Sequence, residues 1–429
     1  MLPRIKQLTQ SAITHQGFRR YFANTSWMFG EQVLRIISGL LVGIWVARYL
    51  GPERFGVFSY AIAFVAIFGS IAKLGLDGIV VRDLVNEPSK REVYLGTAFW
   101  LKFTGALITL SIVAVAILFT ANNHETNLYI FIIASGIVFQ SFEVIDFYFQ
   151  SKVLSKFVSL CKLTQLLISS LLKIYFVLMG ADLLWFVVIS VVDQFSLAMA
   201  LAYAYSRQKT ETFYFKFDKG IGKDMLLNAK PLIIAGIMVS IYSSIDRVII
   251  KEMLGVREVG LYSVATGLTT ALYFIPMLVT NSLFPAILNA KQRSVDIYNR
   301  RLTKLYKYVL SVGLLICLFV SVFASQIIST LYGHQYAASS EVLQIYVWNF
   351  LLICFSSIFG KWLLSENLQY LLPRFTLMAI VVNVTTCFIF IPLWSIKGAA
   401  FAALASQFIP LIWFGISNKH VRSQLRSII

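Results

Sequence analysis

The chain has 429 residues, 58% of them hydrophobic and 13% charged, with a formal net charge of +17. A single soluble core cannot hide that much apolar surface, and continuous apolar runs of about 20 residues exclude the alternating pattern of an outer-membrane barrel. The sequence therefore reads as an all-α polytopic membrane protein, its positive charge suited to cytoplasmic loops and anionic headgroups rather than to nucleic acid.

The first 20 residues are polar and basic and lack the apolar stretch of a cleavable signal, while Leu2, Ile5 and Leu8 have the spacing of a short interfacial helix. Six spans follow, at roughly 25–48, 56–76, 99–119, 127–150, 157–179 and 183–206. A basic segment, 207–230, links them to six more at roughly 231–250, 260–285, 307–325, 341–363, 375–392 and 397–417. The expected division is thus 1–206, 207–230 and 231–429. With twelve spans both termini share one side. Loops on that side carry most of the Lys and Arg, and only Arg48, Arg54, Lys251, Arg257 and Lys397 fall opposite, so both termini are expected to be cytoplasmic. Trp27, Trp45, Trp100, Trp185, Trp362 and Trp394 sit near span ends, as an aromatic belt requires.

The halves echo each other. Leu50-Gly51-Pro52-Glu53-Arg54-Phe55-Gly56-Val57-Phe58-Ser59-Tyr60-Ala61 follows span 1, and Leu254-Gly255-Val256-Arg257-Glu258-Val259-Gly260-Leu261-Tyr262-Ser263-Val264-Ala265 follows span 7. Both read LGxxxxGx[FY]SxA at an offset of 204 residues, and Asn24 and Asn228 hold the same offset. Six spans separate them, so the repeats are parallel: two six-helix bundles around a central cavity, with access alternating between the two sides.

Charges inside spans are costly and mark cavities, ion paths or mutual pairing. Glu31 and Arg35 in span 1, and Lys73 and Asp77 at the end of span 2, have the i, i+4 spacing of neutralising pairs. Span 7 presents Ser240, Ser243, Ser244 and Arg247 on one face, with Asp246 directed toward Tyr242 one turn back. Arg35, Lys173 and Arg247 lie too deep for easy snorkelling and suggest a cationic cavity, with Lys73 and Lys361 nearer its mouth. Guanidinium groups suit phosphate or carboxylate, so the expected cargo is anionic. Glu143, Asp146 and Asp193 are the candidates for ion coupling, Asp193 having Lys173 on the adjacent span as an alternative partner.

Other classes find no support. Cys161, Cys317, Cys354 and Cys387 sit in or beside apolar runs, without a CxxC pair, and His15, His124, His334 and His420 form no HExxH. No metal site or cofactor is expected. There is no GxxxxGK[ST] motor motif, no GxSxG and no loop large enough for a catalytic domain, so an enzyme is not expected.

The stretch Ala47-Arg48-Tyr49-Leu50-Gly51-Pro52-Glu53-Arg54-Phe55-Gly56, with Gly75-Leu76-Asp77-Gly78 and Val81-Arg82-Asp83-Leu84 after span 2, resembles the polysaccharide-transport branch of the multidrug/oligosaccharidyl-lipid/polysaccharide exporter superfamily. The type it is most similar to is the Wzx-type O-antigen flippase. This resemblance implies translocation of undecaprenyl-diphosphate-linked oligosaccharide repeat units across the bacterial cytoplasmic (inner) membrane. Lipid-linked oligosaccharide, anionic phospholipids and polysaccharide-assembly proteins are the implied partners. The competing readings are a cation-coupled drug or metabolite antiporter of the same superfamily and a non-transporting scaffold of a glycan-assembly complex.

Overall fold

A computed structural model describes residues 16–208, 212–292, 294–418 and 422. The interfacial helix expected on Leu2, Ile5 and Leu8 lies outside these residues. All regular structure described is helical. The first elements are α1 (Gln16–Lys73), α2 (Asp77–Asn86), α3 (Arg91–Ile117), α4 (His124–Ser135), a 3-10 stretch at Gly136–Glu143 and α5 (Val144–Ser151). Next come α6 (Ser155–Leu178), α7 (Leu183–Ser206), α8 (Lys219–Leu254), α9 (Val256–Leu272) and α10 (Phe274–Lys291). The chain ends with α11 (Val295–Tyr332), α12 (Ser339–Tyr346), α13 (Trp348–Ser365) and α14 (Leu371–Ser417).

Among the described residues, ten helical segments are long and apolar enough to cross a membrane, and this is a multi-pass membrane protein. The two longest segments, Asn24–Asn86 with 63 residues and Leu371–Ser417 with 47, each have more than twice the roughly 20 residues that cross a bilayer core. Each contains a non-helical residue, Gly51 (φ 74°, ψ 170°) and Ser395 (φ 53°, ψ −139°). Each break divides an overlong segment. Gly51 adopts a backbone open to glycine, and Pro52 then restarts the helix, where its missing N–H is no loss.

Other ends have equally local causes. Asn123 accepts a hydrogen bond from the Thr126 N–H at 2.8 Å and caps α4. Leu74 and Gly75 turn with positive φ between α1 and α2, so Lys73 and Asp77 do not share one continuous helical face, and no ion pair joins them. Asp218 accepts the Ile221 N–H at 2.9 Å at the start of α8, so the second half of the expected linker is helix.

The contacts divide the chain into two compact units. The first contains α1 up to Gly43 and then Phe68–Ile237; the second contains Ile44–Ile67 and Met238 onward. In the first, Leu76, Leu95, Phe149, Phe213 and Ala229 belong to one apolar core. In the second, Leu302, Tyr306, Phe350, Cys354 and Trp362 do the same. Trp362, expected in the aromatic belt, is therefore a core residue, whereas Trp27, Trp45, Trp100, Trp185 and Trp394 are exposed. Large apolar side chains such as Leu41, Phe119, Leu171 and Phe319 also face outward, as a lipid-facing surface demands. All four cysteines are buried and free.

Candidate functional site

The intramembrane charges of the first unit are largely paired with one another. Arg35 Nε donates to Glu31 Oε1 at 2.7 Å, one helical turn back, so the i, i+4 neutralisation holds. Lys173 Nζ lies 3.4 Å from Asp193 Oδ2, and Asp193 Oδ1 is buried without a hydrogen-bond partner. Asp146 pairs with Lys162 at 3.0 Å. Glu143 pairs at 2.9 Å with Lys102, whose side chain is only 1% exposed. Each acid proposed for ion coupling thus has a lysine beside it.

Lys102 escapes sequence reasoning. It stands early in span 3, two residues after Trp100, where a lysine reads as a snorkelling end residue. Instead its ammonium points inward, 5.1 Å from the centre of the Phe147 ring. The residue that receives it is 41 positions away, at the end of the 3-10 stretch. The 3-10 geometry itself has no marker beyond Gly136.

The second unit is different. Arg247 is half-buried, no carboxylate lies within ion-pair distance of it among the described residues, and its Nε is buried without a partner. Asp246 does not serve it as a side-chain partner. One Asp246 oxygen accepts the Arg247 backbone N–H at 2.8 Å, and the other accepts the Tyr262 hydroxyl at 2.6 Å. The expectation that Asp246 faces Tyr242 is corrected: Tyr242 contacts Ser406 at 3.1 Å and accepts from Gln407 Nε2 at 2.8 Å. On the serine stripe, Ser243 is exposed and Ser244 buried. Lys361 is half-buried and Lys73 exposed, and neither has an ion pair among the described residues.

The two copies of the repeated motif meet inside the second unit. A methyl group built on Gly56 would overlap the carbonyl oxygen of Val256 and lie 3.0 Å from the Gly260 nitrogen. One built on Gly260 would overlap the carbonyl oxygen of Pro52 and lie 3.1 Å from the Gly56 nitrogen. Pro52 and Val256 are equivalent positions, as are Gly56 and Gly260, so the contact has local twofold reciprocity. Gly51 and Gly255, also equivalent, both have positive φ. The joint is reinforced nearby: Tyr336 donates to the Ala47 carbonyl and Gln335 to that of Arg48, each at 2.7 Å. Lys251 lies over the Tyr60 ring at 5.2 Å.

Among the described residues no cluster of His, Cys, Asp and Glu is suited to a metal. The arrangement offers an unpaired guanidinium, a hydroxyl-bearing helix face and a joint made of main-chain atoms.

Residues 21–291 match the family described as polysaccharide biosynthesis protein. The capsular polysaccharide biosynthesis protein CapF of Staphylococcus aureus is 20% identical over 406 residues, covering 93% of this chain and 99% of that protein. Among solved structures, an inward-facing multidrug resistance MATE family transporter of the MOP superfamily superposes with a TM-score of 0.70 at 14% identity, over 91% of this chain and 96% of that one. The lipid II flippase MurJ in an inward closed conformation superposes with a TM-score of 0.67 at 16% identity, over 93% of this chain and 89% of that one. At these identities the structural likeness establishes a shared fold.

Proposed function

The chain belongs to the polysaccharide biosynthesis protein family, and on that premise we propose that it is a flippase of undecaprenyl-diphosphate-linked oligosaccharide repeat units, working by alternating access in a bacterial cytoplasmic membrane with both termini cytoplasmic. The observation that carries the reading is Arg247, a half-buried guanidinium with an unbonded Nε. A cation so placed calls for an anion, and a diphosphate supplies one that a planar fork grips bidentately. Arg35 is the second contact, exchanging Glu31 for cargo, with Lys73 and Lys361 as entry contacts and Lys173 contributing from the first bundle.

Asp193 is the acid best suited to ion coupling, since its lysine contact is long and its second oxygen is free.

The antiporter reading calls for acids open to a cationic cargo, and the lysines beside Glu143, Asp146 and Asp193 disfavour it. The deciding experiment is transport of lipid-linked oligosaccharide into proteoliposomes by Arg247→Ala and Arg247→Lys. Loss in the first with partial recovery in the second is expected. Full activity of Arg247→Ala overturns the proposal.

A further inference from the structure

Residues 212–218, just ahead of α8, are a strap rather than a free loop. Phe213 is fully buried, packed on Phe99, Tyr205 and Tyr214 with ring centres 6.0, 5.2 and 4.3 Å away. Trp100 Nε1 donates to the Tyr214 carbonyl at 2.8 Å, and the Asp218 N–H donates to Thr97 Oγ1 at 3.1 Å. A methyl group on Gly96 would overlap the carbonyl oxygens of both Phe213 and Lys216, so strap backbone lies directly on α3.

A backbone held this firmly presents its outward side chains in fixed positions. Phe215 is 90% exposed and Phe217 49%. In the first turns of α8, Met225 and Ala229 are buried while Lys223, Leu227 and Lys230 are exposed, at the i, i+4, i+7 spacing of one face. Lys216 and Lys219 are exposed beside them. The opposing acids are Asp218, whose carboxylate caps α8, and the exposed Asp224. A rigid surface of exposed phenylalanine and lysine is mismatched to water. It matches an anionic lipid headgroup layer, where rings enter the acyl boundary and ammonium groups meet phosphates. Trp100 at its edge, with its N–H bonded and its ring exposed, is the residue type that favours that layer.

We propose that the strap Thr212–Asp218 and the first turns of α8 form a docking surface for anionic phospholipid headgroups, which fixes the segment between α7 and α8 to the leaflet. This rests on the membrane orientation given above, but not on the identity of the cargo.

The test uses the full chain in nanodiscs, with a fluorophore on Phe215→Cys; the native cysteines are buried and leave the new thiol as the accessible one. Quenching by brominated phosphatidylglycerol in a phosphatidylcholine background is compared with the reverse mixture at equal mole fraction. Phosphatidylglycerol is expected to quench about twofold more strongly, and the excess should vanish in Lys216→Gln/Lys219→Gln/Lys223→Gln and shrink in high salt. Equal quenching by both lipids in the unmodified-lysine protein overturns the anionic specificity. No quenching by either overturns the membrane docking and assigns the surface to water or a protein. The readout involves no transport, so a failed Arg247 test and a failed docking test are separable.

Discussion

The two copies of the repeat carry the same turn but different chemistry. At the offset of 204 residues, Tyr262 corresponds to Phe58, Asp246 to Val42 and Arg247 to Gly43. Where the second copy has a carboxylate held by a phenol and an adjacent free guanidinium, the first has apolar groups and a glycine. The same contrast runs through the units. The first pairs Arg35, Lys102, Lys162 and Lys173 with acids, while Arg247 in the second has no such partner among the described residues. The turn is common to both copies but the polar side chains around it differ: several cations of the first unit are paired, as Lys291 is with Glu366 in the second, whereas Arg247 has no carboxylate beside it among the described residues.

Arg247 bears the largest expected effect. Arg247→Ala should abolish detectable transport of lipid-linked oligosaccharide with normal membrane insertion, and Arg247→Lys should restore only part of it. Equal loss from Arg35→Ala and Arg247→Ala would erase the distinction between a paired and an unpaired guanidinium.

The Lys102–Glu143 pair sharpens the structural side. Glu143→Gln strands a fully buried ammonium and should cost about 3–5 kcal/mol of stability. Lys102→Met leaves a carboxylate that is 31% exposed and should cost distinctly less. Thermal unfolding in detergent checks the order, and the double variant should recover most of the loss. Equal costs would show that Glu143 is as enclosed as its partner.

Gly56→Ala and Gly260→Ala should behave alike, because their contacts are reciprocal. Each forces main chain apart, at about 1–3 kcal/mol of overpacking, and should increase labelling of cysteines placed along the joint. A response from only one of the two would break the twofold relation.

Tyr262→Phe makes the second copy resemble the first and removes a donor from a buried carboxylate, at about 1–3 kcal/mol. No loss of stability would mean that Asp246 finds another donor. The smallest structural change is expected of Asp193→Asn, whose lysine contact is long. Its proposed effect is on mechanism: transport should lose its dependence on an ion gradient, and an unchanged dependence removes Asp193 from coupling.

Much of the fold was legible because a bilayer imposes it: helix length, apolar runs and charge bias are one-dimensional signals. The Gly51 break lay inside a recognisable motif, and the Ser395 break falls between the spans read at 375–392 and 397–417, beside Pro392 and Lys397. The intramembrane charges could be listed from the sequence, but their partners mostly could not. Glu31–Arg35 is local and could be read directly. Lys102–Glu143 closes over 41 residues, and Asp246–Tyr262 joins two helices across a turn, so both depend on packing that spacing does not encode. The linker misled for a similar reason, since its basic composition suggests a solvated loop and a single buried ring, Phe213, overrides that.

The joint between Gly56 and Gly260 is built from carbonyl oxygens, amide nitrogens and α-carbons, with no side chain on either glycine. A contact of that kind has no charge, donor fork or aromatic face, so its fit depends on backbone shape alone. Close main-chain approach and side-chain chemistry therefore reside on separate atoms. Side chains elsewhere can be exchanged without touching the joint, whereas any residue larger than glycine at 56 or 260 meets backbone.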